Sequence, residues 1–239
     1  MHFHLPKPLH GWREFAGEVG IIVIGVLIAL AFGQLADAIN ARQHAQAGQE
    51  AIRREIAESL AKLAKRARTE GCIAQKLDAI NAFVTRARTG GTTPLRWIGR
   101  PQVWIMDDAV WNAASQSGRI ALLPSDEQSS LSNIRRALRT AGETMIQEQN
   151  WWAQLRAIEG ETEIDASSVL SIRSLVSQAR YADFRIRQSM RDARIGAEKL
   201  GIKPIDSEPD AQGSLAACVP TETPRSEANR LSRNPDGEP

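Results

Sequence analysis

Two cysteines, Cys72 and Cys218, carry the chemistry in this 239-residue chain that depends most on compartment. In a reducing cytosol two thiols stay apart, whereas an even count in an oxidising compartment tends to pair. Cys218 lies in an apolar island, "LAACV" at residues 215–219, inside an otherwise polar stretch. A bridge from Cys218 to Cys72 gives that island a reason to exist, since it would pin it onto the helix carrying Ile73 and Leu77. Closing so long a loop is worth roughly 4–5 kcal/mol by the chain-entropy estimate. The competing reading is two unrelated reduced thiols, one buried and one in a tail. Pairing is the expectation adopted here, conditional on a non-cytoplasmic location.

The other candidates for chemistry are weaker. Asp107-Asp108 has the look of a metal or acid/base pair, but no third ligand stands at a readable spacing, and an aspartate opening a short helix does the same job as a cap. The four histidines stand at positions 2, 4, 10 and 44, so most of the chain lacks the commonest general base and metal ligand. His2 and His4 at a terminus make a poor metal site. No nucleophile elbow, phosphate loop, zinc spacing or dinucleotide fingerprint occurs. We therefore expect no catalytic residue, metal or cofactor. Arginines at 173, 180, 185, 187, 191 and 194 decorate one helical stretch, which reads either as a solvated face or as a surface for an anionic partner. Trp97, Trp104 and Trp111 lie close in sequence and read as core, or as a binding cluster if exposed. The candidate binding surface is thus Trp97, Trp104, Trp111, Arg180, Arg187 and Arg191. A net charge of +2 and the absence of a recognised DNA-binding motif argue against nucleic acid.

What must position these residues begins with "GEVGIIVIGVLIALAFGQLAD", residues 17–37. Residues 19–33 carry no polar side chain, about 15 residues or 22 Å of helix. Extended to residues 15–36 the run reaches about 22 residues, enough for a hydrocarbon core of about 30 Å. Glu18 and Gln34 then fall at interfacial depth, with Trp12 one turn before Phe15. A signal peptide is the main alternative, since Ala29-Leu30-Ala31 is a small-x-small pattern. Against it, the apolar run continues into Phe32, and Glu14 and Glu18 sit among the basic residues before it. A buried core helix would show a polar stripe, and residues 21–28 have none. The reading is a retained span.

Gly17-Glu18 followed by "VGIIVIGVLIAL" resembles the N-terminal anchor of a bacterial family of single-span membrane proteins of unknown function. There a Gly-Glu pair precedes a run ending in Gly-hydrophobic-Leu-Ile-Ala-Leu, and a helical region follows. The likeness covers about the first quarter of the chain and departs after Leu30, where such proteins continue with polar Asn and Trp positions. It implies an anchor and brings no activity. Lys7 and Arg13 before the span favour a cytoplasmic short tail and place the bulk outside, in the periplasm of a bacterium with the span in its inner membrane. Gly25, Ala29 and Gly33, spaced by four, would form a small-residue face for packing two spans into a homodimer.

Beyond the span, Ile52, Ile56, Leu60, Leu63 and Ala67 recur at helical spacing, and Ile73, Leu77, Ile80 and Val84 continue it to Gly90-Gly91. One long helix is predicted there. Ser125-Asp126-Glu127-Gln128 reads as a capping box opening a second stripe through Leu131, Ile134, Leu138, Met145 and Trp152, with Glu148 a polar intrusion. A third helix opens near Asp165 and runs to a C′ glycine, Gly201, with Asp183 interrupting its stripe. No segment alternates with a period of two. The expected fold is all-α: a short cytoplasmic tail (1–14), a transmembrane helix (15–37) continuing into a long helix, an antiparallel helical bundle in an extracytoplasmic domain (38–203), and a largely disordered proline-rich tail (204–239). With 42% hydrophobic residues the chain can build a core. The function this suggests is a membrane-anchored, non-catalytic interaction or scaffold module with an unknown protein partner. The alternative is a ligand-sensing domain with a tryptophan-lined pocket.

Overall fold

A computed structural model describes residues 11–87, 92–207 and 215–233. Among the described residues the regular structure is all helix, with no strand, as the sequence predicts. The chain divides into two units, Met1–Gln49 and Glu50–Pro239. Helix α1 (Trp12–Ala67) supplies the regular structure of the first and opens the second.

In the first unit the apolar side chains of α1 are exposed on every face; Ile21, Ile24, Leu27 and Phe32 are 75%, 57%, 59% and 68% exposed. The most apolar 18-residue window has a mean hydropathy of 2.5, and none of it is buried. Within its own unit this stretch is not a buried core helix. By length and composition this helix can cross a membrane. A Cβ added at Gly25 or Gly33 would meet nothing within 4 Å, so the small-residue face is open.

The second unit is built on a helical hairpin of α4 (Ser125–Leu155) and α5 (Ala166–Lys199). It runs antiparallel: Gly196 near the end of α5 faces Ile134 near the start of α4, while Trp152 near the end of α4 shares a cluster with Val169 and Ile172 of α5. The last turns of α1 and all of α2 (Glu70–Ala87) lie along this hairpin in succession. Ile52, Ile56, Leu60 and Leu63 join Leu131, Ile134, Met145, Ile186 and Ala193 in one core cluster. Ile73, Leu77, Ile80 and Phe83 join Trp152, Leu155, Ile172 and Val176 in the other. Apolar spacing of three and four is what lets each helix bury one stripe.

Three local features differ from the sequence reading. The long helix is interrupted at Arg68 and Thr69, where the Thr69 N–H and hydroxyl both donate to the Arg66 carbonyl, at 3.1 and 2.8 Å, and the Thr69 carbonyl accepts from Ile73 to start α2. A threonine hydroxyl competing for a helix carbonyl needs no proline or glycine to make a break. The predicted end at Gly90-Gly91 lies outside the described residues. At α4 the capping box does not form: Pro124 occupies the N-cap and Ser125 is already helical, while Gln128 Nε2 donates to the Leu123 carbonyl at 2.7 Å. By contrast, α5 opens at Asp165 as predicted, and the Asp165 side chain caps it, accepting from the Ser167 and Ser168 N–H groups at 2.9 and 3.0 Å. Gly201 has the positive φ of a C′ residue.

The third difference is the tail. Residues 208–214 and 234–239 lie outside the described residues, but 215–233 form a turn and helix α6 (Arg225–Arg233) laid against the bundle. Cys72 and Cys218 are brought to disulfide distance, with their Cα atoms 4.7 Å apart. Trp97 Nε1 donates to the Ala216 carbonyl at 2.8 Å, and the N–H groups of Arg96 and Trp97 donate to the Thr221 carbonyl at 2.8 and 3.0 Å. The Lys76 ammonium donates to the Val219 and Trp97 carbonyls. Backbone pairing to the 95–99 loop, plus burial of Ala216, Ala217, Val219 and Ala228, orders a segment whose composition alone reads as disordered. Gly99, at φ +67°, permits the close approach, since a Cβ there would lie 2.2 Å from the Ala216 carbonyl oxygen.

Candidate functional site

Between the last turns of α1 and the second half of α5 runs a groove of about 570 Å³. Leu60, Leu63, Met190, Ala197 and Ile202 give it an apolar floor, and the small Ala64 and Ala67 keep it open on the α1 side. Its rim is cationic: Arg187, Arg191 and Arg194 from α5, and Lys203 just beyond it, against the single acid Glu198. These arginines share the groove because their spacing of four and three keeps them on one helix face. Arg187 Nε is held by Asp183 Oδ2 at 3.1 Å, and Arg194 meets Glu198 only at 3.9 Å. Arg191 and Lys203 have no acidic partner among the described residues.

Behind Arg187 lies an ionic layer between the two apolar clusters. Arg66, Glu148 and Asp183 are all buried. Arg66 Nη2 donates to Glu148 Oε1 and to Asp183 Oδ1, both at 3.1 Å. Asp183 thus joins the buried Arg66 to the groove-lining Arg187. Burial drives the Glu148 pKa up to about 7, outweighing the attraction of Arg66, and the neighbouring Asp183 adds to the rise. Glu70 is raised too, chiefly by burial and then by Asp183. Among the described residues the Nε and Nη1 of Arg66 have no hydrogen-bond partner, nor does the Trp152 indole N–H within normal geometry, although that N–H also pulls the Glu148 pKa down.

The aspartate pair does structural work. Asp107 pairs with Lys62 at 3.0 Å and Asp108 with Arg135 at 2.8 Å. The side chain of Asp108 caps no N–H of α3 (Ala109–Gln116); instead Glu55 of α1 accepts from the N–H groups of Val110 and Trp111, at 2.7 and 3.3 Å. Among the described residues no three His, Cys, Asp or Glu side chains converge as metal ligands do.

Of the sequence-predicted surface, Arg187 and Arg191 come together at the groove. Arg180 stands apart, paired with Asp78 of α2. The three tryptophans are 5–8% exposed and lie in different places. Trp97 packs on Ala216, Val219 and Ala228 under α6, while Trp104 and Trp111 belong to the cluster around α1 and α4. Lys65 and Arg135 cover the faces of Trp104 and Trp111, at 5.4 and 5.3 Å. Sequence reasoning passed over Arg66 and Lys203; the signals that pointed toward the ionic layer were Glu148 and Asp183, each interrupting an apolar stripe. The chain matches no protein-family model, no curated protein and no solved structure.

Proposed function

We propose that this chain is a single-span, membrane-anchored helical interaction module without catalytic activity, held in a bacterial inner membrane with its bundle in the periplasm. One observation carries the reading: the helix whose apolar side chains are exposed on every face, with mean hydropathy 2.5, is the same helix whose last turns supply Ile52, Ile56, Leu60 and Leu63 to a folded core. On this reading a folded domain is covalently continuous with its anchor. The cysteine pair suits an oxidising compartment, and the basic residues before the span suit a cytoplasmic tail. The cation-rimmed groove supplies a surface on which a partner can dock. Crosslinking the full chain in its native membrane, followed by purification in mild detergent, tests this: a stoichiometric protein partner is expected, and a chain that purifies alone at every crosslinker length contradicts it.

The groove also favours a second reading, an extracytoplasmic sensor of small ligands, because about 570 Å³ lies in the range of ligand sites. In that reading the site is the α1/α5 groove, since the tryptophans are buried elsewhere. A ligand-dependent rise in melting temperature with no bound protein would favour it.

A further inference from the structure

We propose, building on the interaction-module reading, that the α1/α5 groove seats one amphipathic helix of a partner protein, its apolar stripe on the Leu60, Leu63 and Met190 floor and its carboxylates facing Arg191 and Lys203. The shape comes first. The bundle packs three helical layers, and a trough between two neighbouring helices is the seat a fourth helix takes. Between Arg187 and Glu198 the α5 wall spans about 16 Å, or three turns. That length matches the anchors at i, i+3 or i+4, and i+7 by which a helix docks in a groove.

Charge then selects the occupant. The cations are distributed along the groove, at 187, 191 and 194 on one wall and at 203 beyond its end. A single-chain lipid carries its charge at one end and needs apolar lining along the rest, so this distribution fits a helix with acidic side chains at successive turns. Among the described residues Arg187 is held by Asp183 and Arg194 has Glu198 within 3.9 Å, whereas Arg191 and Lys203 have no acidic partner and form the pair to be neutralised. The protein's own α6 is not the occupant, because its Ala228 and Ser232 face is already buried.

The test places a photo-crosslinking phenylalanine derivative at Ala64 and, separately, at Met190 of the full chain in native membranes, with Tyr181 as an exposed control outside the groove. Crosslinked peptides are mapped by mass spectrometry. The expected adduct is a segment of another protein whose sequence repeats apolar residues at helical spacing beside Asp or Glu three or four apart. Its yield should fall at least tenfold in an Arg191→Glu/Lys203→Glu variant of unchanged helix content, and return when the acidic residues of the partner are exchanged for Lys. An adduct to lipid, to a second copy of this chain, to a peptide without such acids, or no yield above Tyr181 would overturn the proposal. A partner captured from Tyr181 with the groove positions silent would leave the module reading standing and remove only this one.

Discussion

Replacing Glu148 by Gln keeps the shape of the protonated acid and removes its charge. Glu148 is fully buried, and its pKa is raised from 4.5 to about 7 because burial outweighs the pull of Arg66. A carboxyl whose pKa is raised on folding binds its proton more tightly in the native state. Its stabilising contribution is therefore complete below about pH 4.5 and lost as pH rises through about 7. At about 1.36 kcal/mol per pH unit, the loss between pH 5 and pH 8 is about 2–3 kcal/mol. For a domain of this size that corresponds to roughly 5–10 °C in Tm. Glu55 and Glu70 are raised in the same direction and are present in both proteins, so the difference between wild type and Glu148→Gln isolates Glu148. Thermal melts of the full chain in neutral detergent, followed by far-UV circular dichroism, should show wild-type Tm falling 5–10 °C further than that of the variant over this range. Parallel pH profiles would refute the assignment of Glu148 as a buried, proton-retaining carboxyl.

Other outcomes follow from the same structure. Non-reducing peptide mapping should recover Cys72 linked to Cys218, and the Cys72→Ala/Cys218→Ala variant should lose up to roughly 4–5 kcal/mol, since the bridge closes 146 residues; two thiols labelled quantitatively in the native, unreduced protein would end the idea. Gly99→Ala should release the 215–233 segment, because its Cβ would sit 2.2 Å from the Ala216 oxygen, and limited proteolysis should then cut near α6 at least tenfold faster than in wild type; an unchanged cleavage rate would contradict the packing. Replacing Gly25 and Gly33 by Ile should abolish self-association of the isolated span in a membrane two-hybrid assay, while Val26→Ile should not; equal signals would show that the small-residue face is idle.

Helical periodicity made the three long helices legible, because each buries one stripe and the stripe is written at three-four spacing. The chemistry between the helices was half legible. Glu148 and Asp183 stood out as polar residues where the stripe demanded apolar ones, and both are buried. Arg66 did not stand out, because it lies among Lys62, Lys65 and Arg68, and nothing local tells which of these cations meets buried acids; only the approach of two carboxylates from α4 and α5 selects it. The break at Thr69 and the uncapped start at Ser125 were hidden for a similar reason: tertiary packing and a competing N-cap at Pro124 chose among locally plausible backbones. In the tail, the apolar island around Cys218 was the sole sequence signal. The rest of its order comes from hydrogen bonds to the 95–99 loop, which composition cannot encode.

The central claim is that an uncleaved anchor and a folded, non-cytoplasmic bundle belong to one mature chain. Intact-mass measurement of the protein from carbonate-washed membranes tests it most directly. The predicted result is a membrane-pelleted chain that retains Trp12 and has the mass of the oxidised cysteine pair. A mature chain beginning at Phe32, or one recovered from the soluble fraction, would contradict it.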